Sequence, residues 1–435
     1  MLVLNQSINS GDGIRVEIDC PDSNASCSFP ILGGSVVVNA TDIEVVIGRG
    51  VTLVAQYNLS AWPVNDTTLT FMPLLEFDYC SFITVRGERD LASRSVSRWH
   101  RDALSATVDG GGLPWWIRKL TGNGTGSDDD PKTPCAFGFH ECADVNLRDV
   151  HVSNSPSFGV YFSNSRRVVI ERSAVTIDTI VDEVTVPVFA LNTDGFDVGG
   201  RDILIRDVFV SNADDSIAIK PSWPTGSWRG DMPCTENVTV ENSTLIGVGA
   251  SIGSVHPHYD TTCVRNVVFR DIEMPNTMKG IYIKTDNKTD EQPSDALLIS
   301  DVLYENVRID GASWWPIWIG PQQQENDLEV TECRFSYPLG TNRNCLGARQ
   351  GNVTNITLRN VSITNSKRAH SGMILGNAGS PAGPWDLILD HVTADQPIGC
   401  ASARVGLKGT DPSLFFTAPN DATAGYEDCT FYEVP

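Results

Sequence analysis

The chain has 435 residues, long enough to bury a large core, and its charged fraction of 20% marks a globular protein rather than a disordered one. The formal net charge of −22 argues against nucleic-acid binding, which needs a basic face, and against docking on anionic membranes. An acidic polysaccharide stays open as a partner, because a few local Lys or Arg residues can serve one anionic ring.

Met1–Ser10 has neither a basic start nor an apolar run, so the sequence is expected to begin after a removed leader. No apolar stretch is long enough to span a membrane. Phe77–Val85 ("FDYCSFITV") reads as a strand, and Gly122–Pro134 ("GNGTGSDDDPKTP") as an exposed loop. One pattern then recurs: a β-branched run, a polar residue, Asp or Asn, and another apolar run. It marks Asp149 in "VNLRDVHV", Asp207 in "ILIRDVFV", Asn242 in "VTVENSTL" and Asp271 in "VVFRDIEM". It continues at Asn306 in "VLYENVRI", Asn360 in "ITLRNVSI" and, in weaker form, His391 in "LILDHVTA". The steps are mostly about thirty residues, as in stacked coils, with one long step between Asn306 and Asn360. Helical periodicity of useful length is missing. The pattern predicts an all-β solenoid running over residues 1–435 as one domain.

The chain holds eleven cysteines and twelve N-x-S/T triplets. Together they favour a eukaryotic secretory route and an extracellular protein. The alternative for the triplets is that Asn, Ser and Thr are simply abundant in solenoid turns. Proximity and the coil model suggest Cys20–Cys27, Cys135–Cys142, Cys234–Cys263, Cys333–Cys345 and Cys400–Cys429, leaving Cys80 as a buried thiol.

Two acid clusters stand out. "LNTDGFDVGG" holds Asn192, Asp194 and Asp197, and "NADDSIAIK" holds Asp214, Asp215 and Lys220. Asp194 and Asp214 are about one compact coil apart, so stacking can bring them to one face. Adjacent Asp214 and Asp215 diverge in a regular strand, whereas a bend can turn both into one cleft. Clustered carboxylates separate into an acid and a base, the pair that glycosidic cleavage needs. The plainer alternative is turn formation or a calcium site.

These motifs resemble polygalacturonases and their relatives in glycoside hydrolase family 28. "VDGGGLPWW" (Val108–Trp116), "NSPSF" (Asn154–Phe158), "NTDG" (Asn192–Gly195), the Asp214–Asp215 pair, "GVGASIGSV" (Gly247–Val255) and "GIYIKT" (Gly280–Thr285) follow in the family's order. The resemblance spans roughly residues 108–320. It implies a right-handed parallel β-helix and single-displacement hydrolysis with inversion. Asp214 would then be the general acid, with Asp194 and Asp215 activating water, and neither metal nor other cofactor would be needed. It also implies substrate binding by Asn192 and Lys284.

Two departures bear on substrate. The family's Gly-His-Gly is here Gly247-Val248-Gly249, and His256 or His258 is either a partial substitute or a surface loop histidine. The family's Arg-Ile-Lys is here Tyr282-Ile283-Lys284. Lys284 is retained as a point charge, while the planar fork of an arginine is lost. Trp315, in "SWWPIWIGPQQQ" (Ser313–Gln324), is a candidate for stacking on a sugar ring, with core packing as its alternative. The expected partner is a pectic polysaccharide, cleaved by a monomer. A polysaccharide lyase or epimerase, or a non-catalytic glycan-binding β-helix, are the competing readings. The insertion carrying "PQQQENDLE" (Pro321–Glu329) is expected to wall one end of the cleft and favour attack from a chain end.

Overall fold

A computed structural model describes residues 13–22, 25–65, 69–88, 104–121, 132–178, 190–222, 234–255, 262–285, 297–324, 333–334, 351–376, 385–418 and 427–435, and the backbone of 180–181 and 184–185. The chain forms two compact units, one built on Met1–Ile217 and the other on Ala218–Pro224 with Arg229–Pro435.

In the first unit, parallel strands stack on three faces. One carries Leu75–Asp78, Phe137–His140, the start of Val160–Glu171 and the start of Phe196–Arg206, in that order. The second carries Ser81–Gly87, Ala143–Arg148 and the later halves of Val160–Glu171 and Phe196–Arg206. The third carries Val51–Ala55, Thr107–Asp109, His151–Ser153, Ala174–Thr176 and Phe209–Ser211. Because side chains alternate along a strand, like residues pile up in columns. Ile83, Val145, Val168 and Ile203 form one inward column in register. Phe77, Phe139 and Phe162 form another, with ring centroids 5.0 and 4.4 Å apart and planes within 7°. The second unit repeats the device with Val238, Val267, Val302, Ile356 and Leu387.

The repeat marks are corners. Asp149, Asp207, Asn242, Asp271, Asn306, Asn360 and His391 all have φ between 48° and 58°. Asn and Asp tolerate this left-handed conformation because their short side chains bond locally. A second left-handed corner lies five residues earlier in most coils, at Asp144, Asp202, Asn237, Asn266, Asp301 and Asn355. Stacked corners bond to one another, as in Asn355 to Asp301 at 2.6 Å and Asn360 to Asn306 at 3.1 Å. Arg167 and Arg172 take the same left-handed corners and each forks onto an aspartate one coil away, Asp144 and Asp149. Asn39, Asn237, Asn242, Asn355 and Asn360 belong to N-x-S/T triplets and are all left-handed, so turn geometry is a sufficient reason for asparagine at those five.

Three of the expected disulfides are formed: Cys20–Cys27, Cys234–Cys263 and Cys400–Cys429. Cys345 lies outside the described residues. The Cys135–Cys142 pairing is corrected, since both thiols are free, as is the buried Cys80. The extended strand Phe137–His140 stands between Cys135 and Cys142 and holds them apart despite their closeness in sequence. The cysteine next to Cys142 is instead Cys80, one coil away, and each thiol donates to backbone carbonyls, Cys142 to Phe77 at 3.1 Å and Cys80 to Asp78 at 3.3 Å.

One helix was not legible. Leu113–Leu120 starts after three glycines with Pro114 in its first turn, and its eight residues are too few for a periodic signal. Trp115 is buried edge-on against Tyr57, Trp62 and Phe71. Trp116 packs against Ala190, with Ala213 alongside, and so docks the helix beside both acid clusters.

Candidate active site

Backbone hydrogen bonds of the first unit place the two acid clusters one coil apart. Gly159 N–H donates to the Asp194 carbonyl at 2.7 Å, and Gly195 N–H donates to the Asp215 carbonyl at 2.9 Å. Gly195 is required here: a Cβ would stand 2.3 Å from the Ser216 carbonyl oxygen. The chain bends at Ala213 and Asp214, which frees the neighbouring carboxylates from strand alternation. As a result Asp194, Asp214 and Asp215 each bring a carboxylate oxygen within 4.8 Å of the other two. Asp194 and Asp215 are almost wholly buried, at 3% and 1% exposure, while Asp214 is half-buried. Asp197 is fully buried in the strand Phe196–Arg206.

The cluster is held from several sides. The backbone N–H groups of Asn192 and Asp215 donate to Asp214 Oδ2 and Oδ1, each at 2.8 Å, and fix its orientation. Asn212 Nδ2 donates to the carbonyls of Thr193 at 2.8 Å and Asp215 at 2.9 Å, tying the two segments together. Ser216 Oγ donates to Asn212 Oδ1 at 3.2 Å. Exposed Asn192 sits in the left-handed region, φ 62°. Lys119, near the end of the helix, donates from Nζ to the Leu191 carbonyl and to Asn192 Oδ1, both at 2.8 Å. Burial lowers the Lys119 pKa below its ordinary value, against the pull of Asp214 and Asp194. Asn212 stands beside the paired aspartates in sequence and could have been read as part of their motif. Lys119 offers no sequence signal, because its contact depends on where Trp116 docks.

The second unit carries the other expected residues. Tyr282 and Lys284 lie on Ile281–Thr285, between Ala250–Val255 and Ile317–Pro321. Gly320 is in register with Lys284, and Ser251 and Trp318 with Tyr282. Tyr282 is 3% exposed, and its hydroxyl accepts the Gln323 N–H at 3.3 Å. Lys284 Nζ stands 4.8 Å from the Tyr282 ring centroid, and Lys279 Nζ 3.7 Å. The ring thus seats two ammonium groups by cation–π attraction. Lys279, which sequence reasoning missed, is itself buried.

Trp315 requires a correction. Its exposure is 0%, and it packs with Trp318, Tyr282, Met373 and Leu375, so it presents no face to a sugar. Apolar neighbours from adjacent coils fill the space around the ring. Val248, at the position of the family histidine, belongs to the same cluster, so this departure extends the core. His256 and His258 lie outside the described residues.

Among the described residues, two groups could hold a metal ion: the three aspartates, and Glu76 with Asp78 and His140. For the aspartates, Lys119 already supplies a positive neighbour.

Residues 38–394 match the model of Glycosyl hydrolases family 28. Endopolygalacturonase A of Aspergillus niger is 26% identical over 295 residues, covering 66% of this chain and 69% of that protein. Endopolygalacturonase I of the same species is 29% identical over 314 residues, covering 71% and 70%. Among solved structures, the polygalacturonase from Erwinia carotovora ssp. carotovora aligns over 91% of this chain and 96% of its own, with a TM-score of 0.60 at 19% identity. The family 28 exopolygalacturonase of Yersinia enterocolitica covers 96% and 74%, with a TM-score of 0.64 at 14% identity. These two likenesses carry the fold, a right-handed parallel β-helix. The match sets aside the lyase, epimerase and non-catalytic readings. The chain belongs to glycosyl hydrolases family 28 and is a polygalacturonase-like glycoside hydrolase.

Proposed function

We propose that the protein hydrolyses α-linked glycosidic bonds of a pectic polysaccharide, galacturonan, rhamnogalacturonan or a related chain, by single displacement with inversion. The observation that carries this reading is the convergence of Asp194, Asp214 and Asp215 from two adjacent coils. Asp214, the most accessible of the three, is assigned as the general acid that protonates the leaving oxygen. Asp194 and Asp215 are assigned to water activation. Asn192 and Lys284 are assigned to substrate binding by their match to the family's motifs, and Tyr282, which replaces the family's arginine, by its place beside Lys284. Lys284 suits one sugar carboxylate, and the loss of the arginine fork disfavours a run of charges. Carboxylate oxygens within 4.8 Å are closer than the usual separation in inverting enzymes, so inversion rests on the family resemblance.

The insertion between Asn306 and Asn360, whose middle lies outside the described residues, is assigned to walling one end of the cleft and favouring attack from a chain end. Secretion of a monomer is the matching cellular reading. Its support is the three disulfides, which persist in oxidising compartments. No helix among the described residues is long and apolar enough to cross a membrane.

The test is a product profile on a panel of pectic and neutral glycans, with proton NMR of the first product formed. Short products from the outset and the inverted anomer are expected on at least one α-linked uronate chain. Early long oligomers would remove the chain-end reading, and a retained anomer would remove the mechanism. No cleavage of any pectic chain would sink the substrate class.

A further inference from the structure

We propose that Glu76, Asp78 and His140 form a binding site for a divalent first-row transition metal, of which zinc is the probe, clamping two adjacent coils of the first unit. Glu76 and Asp78 lie on Leu75–Asp78 and His140 on Phe137–His140, with Asp78 and His140 in register. Residues 76 and 78 share the strand face opposite Phe77, whose ring stacks in the core. One donor atom from each of the three lies within 4.8 Å of the other two. His140 Nε2 stands 3.3 Å from Glu76 Oε1.

Two further observations point to a cation. Glu76 is 8% exposed, yet among the described residues its buried Oε2 has no hydrogen-bond partner, and Asp78 Oδ1 is in the same condition. Unpaired buried carboxylate oxygens are costly, and two of them beside one imidazole call for a positive partner. The second observation is Gly138, in register with Glu76. A Cβ there would stand 3.3 Å from His140 Nε2 and 3.7 Å from Glu76 Cγ, so the glycine keeps the space beside the ligands open.

The donor set names the class of ion. One imidazole and two carboxylates suit zinc and its first-row neighbours, whereas calcium takes six to eight oxygens. Ligands at about 2.1 Å from zinc stand roughly 3–4 Å from one another, so a modest side-chain contraction closes the site. His140, about one-third exposed in its side chain, leaves a path for entry. The ion would neutralise both carboxylates and add a bond between two adjacent coils, and it uses none of the residues assigned to the proposed activity.

The test titrates chelator-treated full-length protein with zinc and with calcium by calorimetry, with thermal unfolding followed in parallel. One zinc per chain and a higher Tm are expected, with calcium binding at least tenfold more weakly. Glu76→Gln should weaken zinc at least tenfold. Gly138→Val, which keeps all three ligands but fills the gap, should do the same. A triple variant with Asp194, Asp214 and Asp215 each changed to Asn should bind zinc as the wild type does. Absence of stoichiometric zinc, calcium tighter than zinc, or loss confined to the triple variant would each overturn the site. X-ray absorption on zinc-loaded wild-type protein needs no variant: one imidazole among oxygen ligands is expected, and two or more would place the ion elsewhere.

Discussion

Asp214 and Glu76 stand in two acid-bearing clusters of the same unit, yet their oxygens meet different partners. Both Asp214 oxygens accept backbone N–H groups, and the Lys119 ammonium lies in its field. Glu76 has His140 beside one oxygen, and among the described residues nothing donates to the other. Where the chain supplies the donors, a carboxylate cluster is oriented in advance for chemistry on a bound substrate. Where it supplies none, the positive partner has to come from outside. The difference lies in the surrounding coils, because both clusters draw on aspartates and neighbours of ordinary type.

The strongest way to break this comparison is to neutralise the oriented cluster. Asp194→Asn, Asp214→Asn and Asp215→Asn keep shape while removing water activation or the acid proton. Each should fold and lose about a hundred- to ten-thousand-fold in rate. Initial rates of reducing-sugar release measure this. A variant that keeps more than about a tenth of wild-type rate takes that residue out of the mechanism.

Lys119 comes next. It touches Asn192 and the Leu191 carbonyl, so it acts as a positioning residue for the segment leading to Asp194. Lys119→Met should cost roughly ten- to a hundredfold in kcat/KM, the range of a lost charged hydrogen bond. A purely structural lysine would show no pH signature. Because burial lowers the Lys119 pKa, its charge is lost on the alkaline side earlier than for an ordinary lysine. Lys119→Arg should therefore keep much of the activity and move the alkaline limb of the pH profile upward. An unmoved limb would leave Lys119 with packing alone.

How much of this was readable depends on what kind of contact each residue makes. The β-helix was legible because its corners need a left-handed residue, and Asn or Asp at Asp149, Asp207, Asn242 and Asn306 announces that need. Arg167 and Arg172 take the same corners and announce nothing, since arginine has no such preference. The acid clusters were legible as Asn192–Gly195 and Asp214–Asp215, whose local spacing survives in the fold. Lys119 and the Glu76, Asp78 and His140 group were not, because register between distant segments assembles them. The same blindness to register made Cys135 and Cys142 look like partners and left Trp315 open between sugar stacking and the core.

Lys284 sharpens the comparison from the substrate side. Its ammonium lies beside the Tyr282 ring, together with that of Lys279. In the proposed role it meets one uronate. Lys284→Ala should raise KM several-fold on a uronate-containing chain and change little on a neutral glycan. Added salt should weaken turnover of the charged chain only, because screening acts on that contact. Equal loss on both glycans would make Lys284 a core-packing residue.

The smallest expected effect comes from a third kind of carboxylate in the same unit, one paired by the protein's own cations. Buried Glu171 meets Arg172 Nη1 at 2.7 Å and Arg206 Nη2 at 2.6 Å, with Arg206 in register one coil on. Burial by itself would raise the Glu171 carboxyl, and the two arginines outweigh it and hold the group below its ordinary value. A depressed folded value means that this pairing stabilises the protein above the unfolded pKa, about 4.3, and that the contribution fades as pH falls through the lower folded value. Arg206 is 43% exposed, so solvent screening reduces its share, and Arg206→Ala should cost on the order of 1 kcal/mol at neutral pH. Thermal unfolding of wild type and variant from pH 7 to pH 3 checks the sign. The gap in Tm should narrow on acidification as Glu171 takes up its proton in both proteins. A gap that stays constant down to pH 3 would assign the loss to the packing of the arginine stem, and Glu171 would no longer stand as the self-paired counterpart of Glu76.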